Sequence, residues 1–227
     1  MIKTYRSIPA KNIQLLLWDL DGTLVNSALD LALAVNVMLR GLGREELSVE
    51  VITGYVGNGA QTLVRRALGN PEDESFVNRS LQIFLEHYNQ HQLDNTQTYP
   101  GIQPVLEKLY ARGGLKMAVL TNKPQQPSQA ICDGLGLSPF FTRVLGGDAL
   151  PTRKPDPQGA HLLMQEFGAR PEETLMIGDS HNDVLTARNA DMYSIGVTYG
   201  LSPASLQTHP PDVLVDRAEE LLTVLEL

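Results

Sequence analysis

The stretch Leu15-Leu16-Leu17-Trp18-Asp19-Leu20-Asp21-Gly22-Thr23-Leu24 decides the fold, because here an apolar run ends abruptly in two carboxylates and a glycine. A short apolar run bounded by turn residues predicts a strand that is buried on both faces of a parallel sheet. Buried carboxylates are costly unless they are paired, hydrogen-bonded or bound to a metal. Asp19 and Asp21, at the carboxyl end of this strand, therefore need a chemical partner elsewhere in the chain.

The composition is that of a globular protein and argues against nucleic-acid or membrane binding. The chain has 227 residues, of which 42% are hydrophobic and 19% charged, and its formal net charge is −8. Binding to a phosphate backbone needs basic patches, and no apolar stretch approaches the ~20 residues of a membrane span. The polar N-terminus does not resemble a signal peptide, and the single cysteine, Cys132, cannot form an intramolecular disulfide. We therefore expect a cytoplasmic protein.

Six short apolar runs predict strands, and helical patterns lie between the later ones. This alternation with short loops predicts an α/β fold, in which helices cover both faces of a parallel sheet in a Rossmann-like three-layer core. The predicted strands are 14–18, 116–120, 143–145, 174–177, 194–197 and 213–215. The predicted core helices are 103–111, 125–135, 157–167 and 182–189.

Residues 25–95 differ from the rest of the chain, because they have helical patterns throughout and no strand pattern. Ser27 is expected to cap a first helix, and further helices are predicted over 61–68 and from about 75 to 91. We call residues 25–95 the helical insert. The predicted division is an α/β core of residues 1–24 and 96–227, with a small α-helical domain of residues 25–95 inserted after its first strand.

Four groups of polar residues follow predicted strands, directly or after a short loop. They are Asp19 and Asp21, Thr121 and Asn122, Lys154, and the pair Asp179 and Asp183. In open parallel sheets the ligand crevice lies outside the carboxyl ends of the strands. The four groups are therefore predicted to converge on one site.

The charges of these groups predict a metal ion. Four carboxylates would meet in one pocket, and like charges about 4 Å apart repel by roughly 4 kcal/mol per pair near a protein surface. Mg²⁺ and Lys154 together would add three positive charges and leave one negative charge. Hard carboxylate oxygens with room for water and a phosphate suit Mg²⁺, and Asp21 would take part through its backbone carbonyl. The sequence thus predicts Mg²⁺ as the cofactor and a phosphate ester as the substrate.

The stretch Asp19-Leu20-Asp21-Gly22-Thr23 resembles the D-x-D-G-T motif of the haloacid dehalogenase superfamily. Thr121, Lys154 and the Asp179/Asp183 pair match the second, third and fourth motifs of that superfamily in order, and the helical insert resembles its α-helical cap. Three finer features are similar to bacterial phosphoglycolate phosphatases. They are residues 18–27 (WDLDGTLVNS), 56–60 (VGNGA) and 196–200 (GVTYG).

This resemblance implies a phosphomonoester hydrolase that works through an aspartyl-phosphate. Asp19 would attack phosphorus and also bind the metal. Asp21 would protonate the leaving oxygen and later take a proton from water. The implied substrate is a small anionic phosphorylated metabolite, with 2-phosphoglycolate first. We expect the protein itself to be a monomer or a homodimer.

The remaining motif residues would hold the phosphoryl group and the metal. The Thr121 hydroxyl and the backbone N–H of Asn122 would bind phosphoryl oxygens, and Lys154 would neutralise charge on the transferring group. Asp179 would bind Mg²⁺ directly. Asp183 would hold the metal through water or orient Lys154.

Substrate specificity would reside in the helical insert. Gly57-Asn58-Gly59 would present backbone N–H groups to an anion, or alternatively form a helix–helix turn. Arg65 or its neighbour Arg66 would pair with a substrate carboxylate, or alternatively lie on a solvated helix face. Gly57, Asn58, Gly59 and Arg65 are therefore the candidate specificity residues.

Several other functions share parts of this pattern. A phosphatase or mutase for another phosphorylated metabolite, such as a sugar phosphate, would have the same core motifs. A dehalogenase would have no use for Asp21, and phosphonate hydrolysis would need a lysine in the helical insert, which has none. A signalling receiver phosphorylated on Asp also uses acidic residues, a hydroxyl and a lysine, but the insert and Asp21 argue against it. A non-catalytic protein would have lost Asp19, Asp21 or Asp179.

Overall fold

The computed structural model describes residues 1–226, whose strands form a seven-stranded sheet and a two-stranded ribbon. The strands are β1 (Lys3–Thr4), β2 (Leu15–Trp18), β3 (Val25–Asn26), β4 (Gln97–Thr98), β5 (Lys116–Leu120), β6 (Arg143–Leu145), β7 (Thr174–Gly178), β8 (Tyr193–Val197) and β9 (Val213–Val215). The order in the large sheet is β1-β9-β8-β7-β2-β5-β6, and only β1 and β9 pair antiparallel. The predicted α/β fold is confirmed. The edge strand β1 was not predicted, because two exposed residues carry no apolar pattern.

Ten α-helices are present in residues 1–226, and the four predicted core helices are confirmed to within one residue at each end. The helices are α1 (Ala28–Gly41), α2 (Val49–Thr53), α3 (Ala60–Ala67), α4 (Glu74–His91), α5 (Ile102–Ala111), α6 (Gln125–Gly134), α7 (Gln158–Phe167), α8 (His181–Asn189), α9 (Ser205–Thr208) and α10 (Glu220–Val224). Helices α2, α9 and α10 are too short to show a helical period in the sequence. Within this described part of the chain, no helix is long and apolar enough to cross a membrane.

Strand β2 lies at the centre of the sheet, between β5 and β7, and all four of its residues are fully buried. Successive side chains of a strand point to opposite faces. Leu16 and Trp18 accordingly pack in one hydrophobic cluster with α5, α6 and α10, while Leu15 and Leu17 pack in another with α7 and α8. The result is a three-layer core whose central strand leads directly to Asp19.

The helical insert forms a hydrophobic cluster of its own from α1, α2, α3 and α4. In this cluster the rings of Phe84 and Tyr88 stack with their centroids 5.5 Å apart. The two segments that join the insert to the core, β3 and β4, pair antiparallel. Ser27 precedes α1, but its hydroxyl does not cap the helix. The expected capping role is wrong, because the Ser27 hydroxyl donates instead to Asp21 over 2.6 Å.

Candidate active site

Asp19 begins the site, because it follows β2 without a break. Its N–H donates to Ile177 of β7 over 2.9 Å, which continues the sheet pairing by one residue. The Asp19 side chain is buried, and its Oδ1 accepts from the Leu20 N–H at 2.8 Å. The buried central strand thus fixes the position of a carboxylate at the edge of the sheet.

Two other buried carboxylates lie close to that of Asp19. One oxygen each from Asp19, Asp179 and Asp183 lies within 4.8 Å of the others. The ammonium group of Lys154 lies 3.0 Å from Oδ1 of Asp19 and 2.6 Å from Oδ1 of Asp183. The structure therefore brings the first, third and fourth motifs together, as their places after the strands predict.

The positive charge around this acidic cluster (Asp19, Asp179 and Asp183) is too small to balance its carboxylates. Three carboxylates and Lys154 leave two negative charges in a buried site. Burial raises the pKa of Asp19 to about 6 despite the opposing Lys154, and burial with the charge of Asp183 raises the pKa of Asp179 well above its usual range. Burial alone would lower the pKa of Lys154, but the charges of Asp183 and Asp19 raise it. A divalent cation with a preference for oxygen ligands fits this cluster.

Backbone N–H groups and one hydroxyl group hold the carboxylates of Asp179 and Asp183 in place. Oδ2 of Asp179 accepts from the N–H groups of Leu201 and Ser202 at 2.7 and 2.9 Å. Oδ2 of Asp183 accepts from the N–H and the hydroxyl of Ser180 at 3.0 and 2.7 Å, forming a capping box at the start of α8. Asp183 therefore has one oxygen on its helix and the other on Lys154, an arrangement that orients the lysine.

Two glycines allow these carboxylates to approach the backbone. Gly22 has a φ of +87°, and a Cβ atom there would collide with the carboxylate of Asp179. A Cβ atom at Gly178 would collide with the carboxylate of Asp183. The glycine of the first motif is thus required by the position of an aspartate more than a hundred residues away.

Asp21 has different partners from Asp19. Its Oδ1 accepts from Ser27, and Lys123 Nζ lies 3.1 and 3.0 Å from Oδ1 and Oδ2. The same ammonium group donates to the Tyr88 hydroxyl of α4 over 2.6 Å. Burial alone would lower the pKa of Lys123, but Asp21 and Tyr88 raise it. Neither Lys123 nor Tyr88 was predicted from the sequence as a site residue. The only signal is that Lys123 follows Thr121 and Asn122 directly.

The second motif supplies a hydroxyl and an amide. Thr121 is buried and its Oγ1 accepts from the Lys123 N–H at 3.2 Å, so the hydroxyl proton can be donated elsewhere. The Asn122 side-chain amide donates to the carbonyl oxygens of Gly57 and Lys154 at 2.8 and 3.0 Å. Asn122 therefore links the second motif to the third motif and to the helical insert.

The four candidate specificity residues of the insert lie in different surroundings. The Gly57 carbonyl accepts from Asn182 of α8 as well as from Asn122, and Asn58 lies next to Asn182. Gly57 thus presents a carbonyl oxygen to the core. Arg65 does not reach the site: its guanidinium donates to the Pro71 carbonyl at 2.8 Å and to Glu74 at 2.5 Å.

A cavity of about 40 Å³ opens between the insert and the core. Core and insert both contribute walls. The lining residues are Asp19, Asp21, Leu31, Val56, Gly57, Gly59, Ala60, Leu63, Phe84, Leu85, Tyr88, Thr121, Asn122, Lys123, Pro124 and Pro127. The cavity thus exposes Asp19 and Asp21 to a small molecule, whereas Asp179, Asp183 and Lys154 do not line it.

The arrangement has the features of one family of enzymes. A family model described as "Haloacid dehalogenase-like hydrolase" matches residues 16–197, a range that includes Asp19, Asp21, Thr121, Lys154, Asp179 and Asp183. The chain belongs to the haloacid dehalogenase-like hydrolase family. The resemblance inferred from the motifs is therefore confirmed, and the chain is a hydrolase by class.

Within this family, the chain is similar to proteins named phosphoglycolate phosphatase. It is 40% identical over 220 residues to one from Colwellia psychrerythraea, covering 94% of this chain and 97% of the relative. It is 38% identical over 216 residues to one from Pseudomonas putida, covering 92% and 78%. The crystal structure of a predicted phosphoglycolate phosphatase from Haemophilus somnus superposes with a TM-score of 0.88 at 32% identity, covering 94% of this chain and 98% of that one.

Proposed function

We propose that the chain is a Mg²⁺-dependent phosphomonoester hydrolase that forms an aspartyl-phosphate on Asp19 and converts 2-phosphoglycolate to glycolate and phosphate. One observation carries this proposal: Asp19 belongs to the acidic cluster, lies 3.0 Å from Lys154, and also lines the cavity together with Asp21. A carboxylate so placed can attack a phosphoryl group that enters from the cavity. The relatives named phosphoglycolate phosphatase support the choice of substrate.

Asp19 and Asp179 would hold the metal ion, together with the backbone carbonyl of Asp21. Asp183 would hold it through water while fixing Lys154. Oxygen ligands with room for water favour Mg²⁺, which keeps several of its waters when it binds to protein. When bound, the ion would neutralise charge on the phosphoryl oxygens.

In the first step, the Asp19 carboxylate attacks phosphorus while the bond from phosphorus to the bridging oxygen breaks. Asp21 gives its proton to that oxygen, so that the product leaves as an alcohol. The Thr121 hydroxyl and the backbone N–H of Asn122 hold phosphoryl oxygens, and Lys154 holds the nucleophile in place from a distance of 3.0 Å.

In the second step, a water molecule attacks the phosphorus of the aspartyl-phosphate and the acyl–phosphate bond breaks. Asp21 takes the proton from this water, phosphate leaves, and the Asp19 carboxylate is regenerated. Asp21 therefore performs both proton transfers. Its hydrogen bond to Ser27 and its ion pair with Lys123 hold the carboxylate at the cavity wall.

Residues 25–95 are proposed to act as a cap domain on the core of residues 1–24 and 96–227. The separate hydrophobic cluster of the insert and the paired joints β3 and β4 support movement as a unit. The cap would exclude water during the first step and admit the one water molecule needed in the second.

The walls of the cavity favour a small hydroxy acid over a sugar as the leaving group. The insert contributes mainly apolar side chains, among them Leu63, Phe84 and Leu85. Sugar hydroxyls buried against such walls would have no hydrogen-bond partners, and each such loss is unfavourable. A two-carbon acid has no hydroxyl other than the one that carries the phosphate.

The test is a steady-state comparison of phosphate esters. We expect kcat/KM to be highest for 2-phosphoglycolate among a panel with glucose 6-phosphate and p-nitrophenyl phosphate. EDTA should abolish turnover and Mg²⁺ should restore it. Asp19→Asn should remove activity on all three substrates.

Three results would contradict the proposal. Full activity in EDTA would contradict the requirement for a metal ion. Activity of Asp19→Asn would contradict the role of Asp19 as the nucleophile. A preference for glucose 6-phosphate would change the substrate while leaving the phosphatase chemistry in place.

A further inference from the structure

Lys123 is a buried cation at the boundary between the helical insert and the core. Only 4% of its side chain is exposed. Its Nζ donates to Tyr88 of the insert and faces both carboxylate oxygens of Asp21. Lys123, Tyr88 and Asp21 all line the cavity. The ammonium group is therefore available to a molecule bound there.

The rest of the cavity offers no second cation. Among the described residues that line it, Lys123 is the one cationic side chain, while Asp19 and Asp21 would repel an anion. The Arg65 guanidinium, bonded to Pro71 and Glu74, points to another part of the insert. Among the side chains that line the cavity, Lys123 is therefore the one that could form an ion pair with an anionic end of the leaving group.

The position of Lys123 suits a leaving group with two carbons. In the proposed reaction Asp21 donates to the bridging oxygen, across a hydrogen bond of about 2.7 Å. Lys123 Nζ lies 3.0 Å from Oδ2 of the same aspartate. Carbon–carbon bonds are about 1.5 Å long, so a carboxylate one carbon away from the bridging oxygen comes within reach of the ammonium group.

We infer that Lys123 is the specificity-determining residue that binds the carboxylate of the leaving group, which rests on the proposed function. The selected substrates are phosphate esters of short 2-hydroxy carboxylic acids. An ammonium group has three N–H donors, so Lys123 can turn one donor from Asp21 to the substrate and keep its bond to Tyr88. Tyr88 is then a positioning residue, and it brings the insert into substrate recognition.

The test measures selectivity as the ratio of kcat/KM for 2-phosphoglycolate to kcat/KM for its carboxamide, in which an uncharged amide of nearly the same shape replaces the carboxylate. Lys123→Met should lower this ratio by about 30-fold, because a hydrogen bond between charged groups is worth ~2 kcal/mol. Lys123→Arg keeps the charge and should keep most of the selectivity. Lys116→Met, at the exposed lysine that begins strand β5, the strand preceding Lys123, is the matched control and should leave the ratio unchanged.

Circular dichroism would establish that each variant folds. If Lys123→Met does not fold, Lys123→Gln replaces it, because its amide can still donate to Asp21 and Tyr88; the same loss of selectivity is expected. Equal losses on both substrates would overturn the inference, since Lys123 would then act on Asp21 and not on the leaving group.

Two further outcomes separate this inference from the proposed function. If the wild type favours 2-phosphoglycolate and the Lys123 variants keep that preference, the inference alone is overturned. If the wild type hydrolyses other phosphate esters and does not distinguish 2-phosphoglycolate from its carboxamide, the proposed substrate is overturned together with the inference.

Discussion

The side-chain amide of Asn182 donates a hydrogen bond of 3.1 Å to the carbonyl oxygen of Gly57, across the boundary between helix α8 and the helical insert. Asn122 donates to the same oxygen over 2.8 Å. Asn122 adjoins Thr121 of the second motif, and Asn182 adjoins Asp183 of the fourth. One carbonyl oxygen thus joins the insert to the loop after β5 and to the first turn of α8.

Asn182→Ala should loosen this contact. Loss of one hydrogen bond of about 1 kcal/mol would increase roughly fivefold the population in which the insert is separated from the core. We expect faster hydrogen exchange at the amides of residues 57–60 and a KM for 2-phosphoglycolate raised by a similar factor, with a smaller change in kcat. Hydrogen exchange with mass spectrometry and steady-state kinetics measure the two effects.

The matched control for this variant is Asn189→Ala. Asn189 lies on the same helix, and its exposed side chain donates to the Pro155 carbonyl over 2.9 Å within the core. Exchange at residues 57–60 should stay at the wild-type rate in this control. An unchanged rate in Asn182→Ala as well would contradict the role assigned to the Gly57 carbonyl.

Without metal, the carboxylate of Asp19 should destabilise the protein at neutral pH. Burial raises the pKa of Asp19 from 3.8 to about 6. Between these values the folded state holds more protons than the unfolded chain, so the free energy of unfolding falls as pH rises through this range. In EDTA, Asp19→Asn should therefore be more stable than the wild type by about 1–3 kcal/mol at neutral pH. Urea denaturation measures the difference.

Mg²⁺ should reverse this order, because only the wild type has the full set of carboxylates to bind it. At about pH 4 in EDTA, where Asp19 is protonated in the folded state, the two proteins should differ much less. A metal-free wild type as stable as Asp19→Asn at neutral pH would show that the acidic cluster carries no excess charge.

The sequence was sufficient to predict the six parallel strands of the sheet and the acidic cluster, because both follow from local patterns. The apolar runs mark the strands, and the first polar residues after Trp18, Leu120 and Gly178 stand at carboxyl ends that a parallel sheet brings together. The strand pattern alone thus specifies which distant residues meet. The Gly22 position adds a check, since its close approach to Asp179 needs a residue without a side chain.

The contacts between the insert and the core could not be predicted in the same way. Lys123 meets Tyr88 and Asp21 because of how α4 docks over the loop after β5, and no periodic pattern encodes that docking. Ser27 has the sequence features of a helix cap, but its hydroxyl donates to Asp21 at 2.6 Å and not to the backbone of α1. Arg65 was a candidate by charge alone, and Glu74 of the next helix binds it.

Gly22→Ala should disrupt the candidate metal site. The new methyl group would collide with the carboxylate of Asp179 at a φ of +87°. We expect the affinity for Mg²⁺ to fall by about tenfold or more, because a metal ligand would be displaced. Isothermal titration calorimetry measures the loss. Gly69→Ala has a similar φ of +80° but no atom within 4 Å of the added carbon, so it tests backbone strain alone and should leave the affinity unchanged.

The buried carboxylate of Asp30 holds the segment by which the insert returns to the core. It accepts from the Asn95 N–H and side-chain amide at 3.0 and 2.7 Å, and from the Thr96 N–H and hydroxyl at 2.8 and 2.7 Å. Asp30→Ala would leave these donors without their acceptor, so we expect the free energy of unfolding to fall by about 3 kcal/mol.

Asp73→Ala is the comparison. Asp73 accepts only from the Phe76 N–H at the start of α4, and its loss should cost about 1 kcal/mol. Urea denaturation of the two variants would contradict the assignment if Asp30→Ala were no less stable than Asp73→Ala, because a solvent-exposed cap would then contribute as much as a buried carboxylate with four donors.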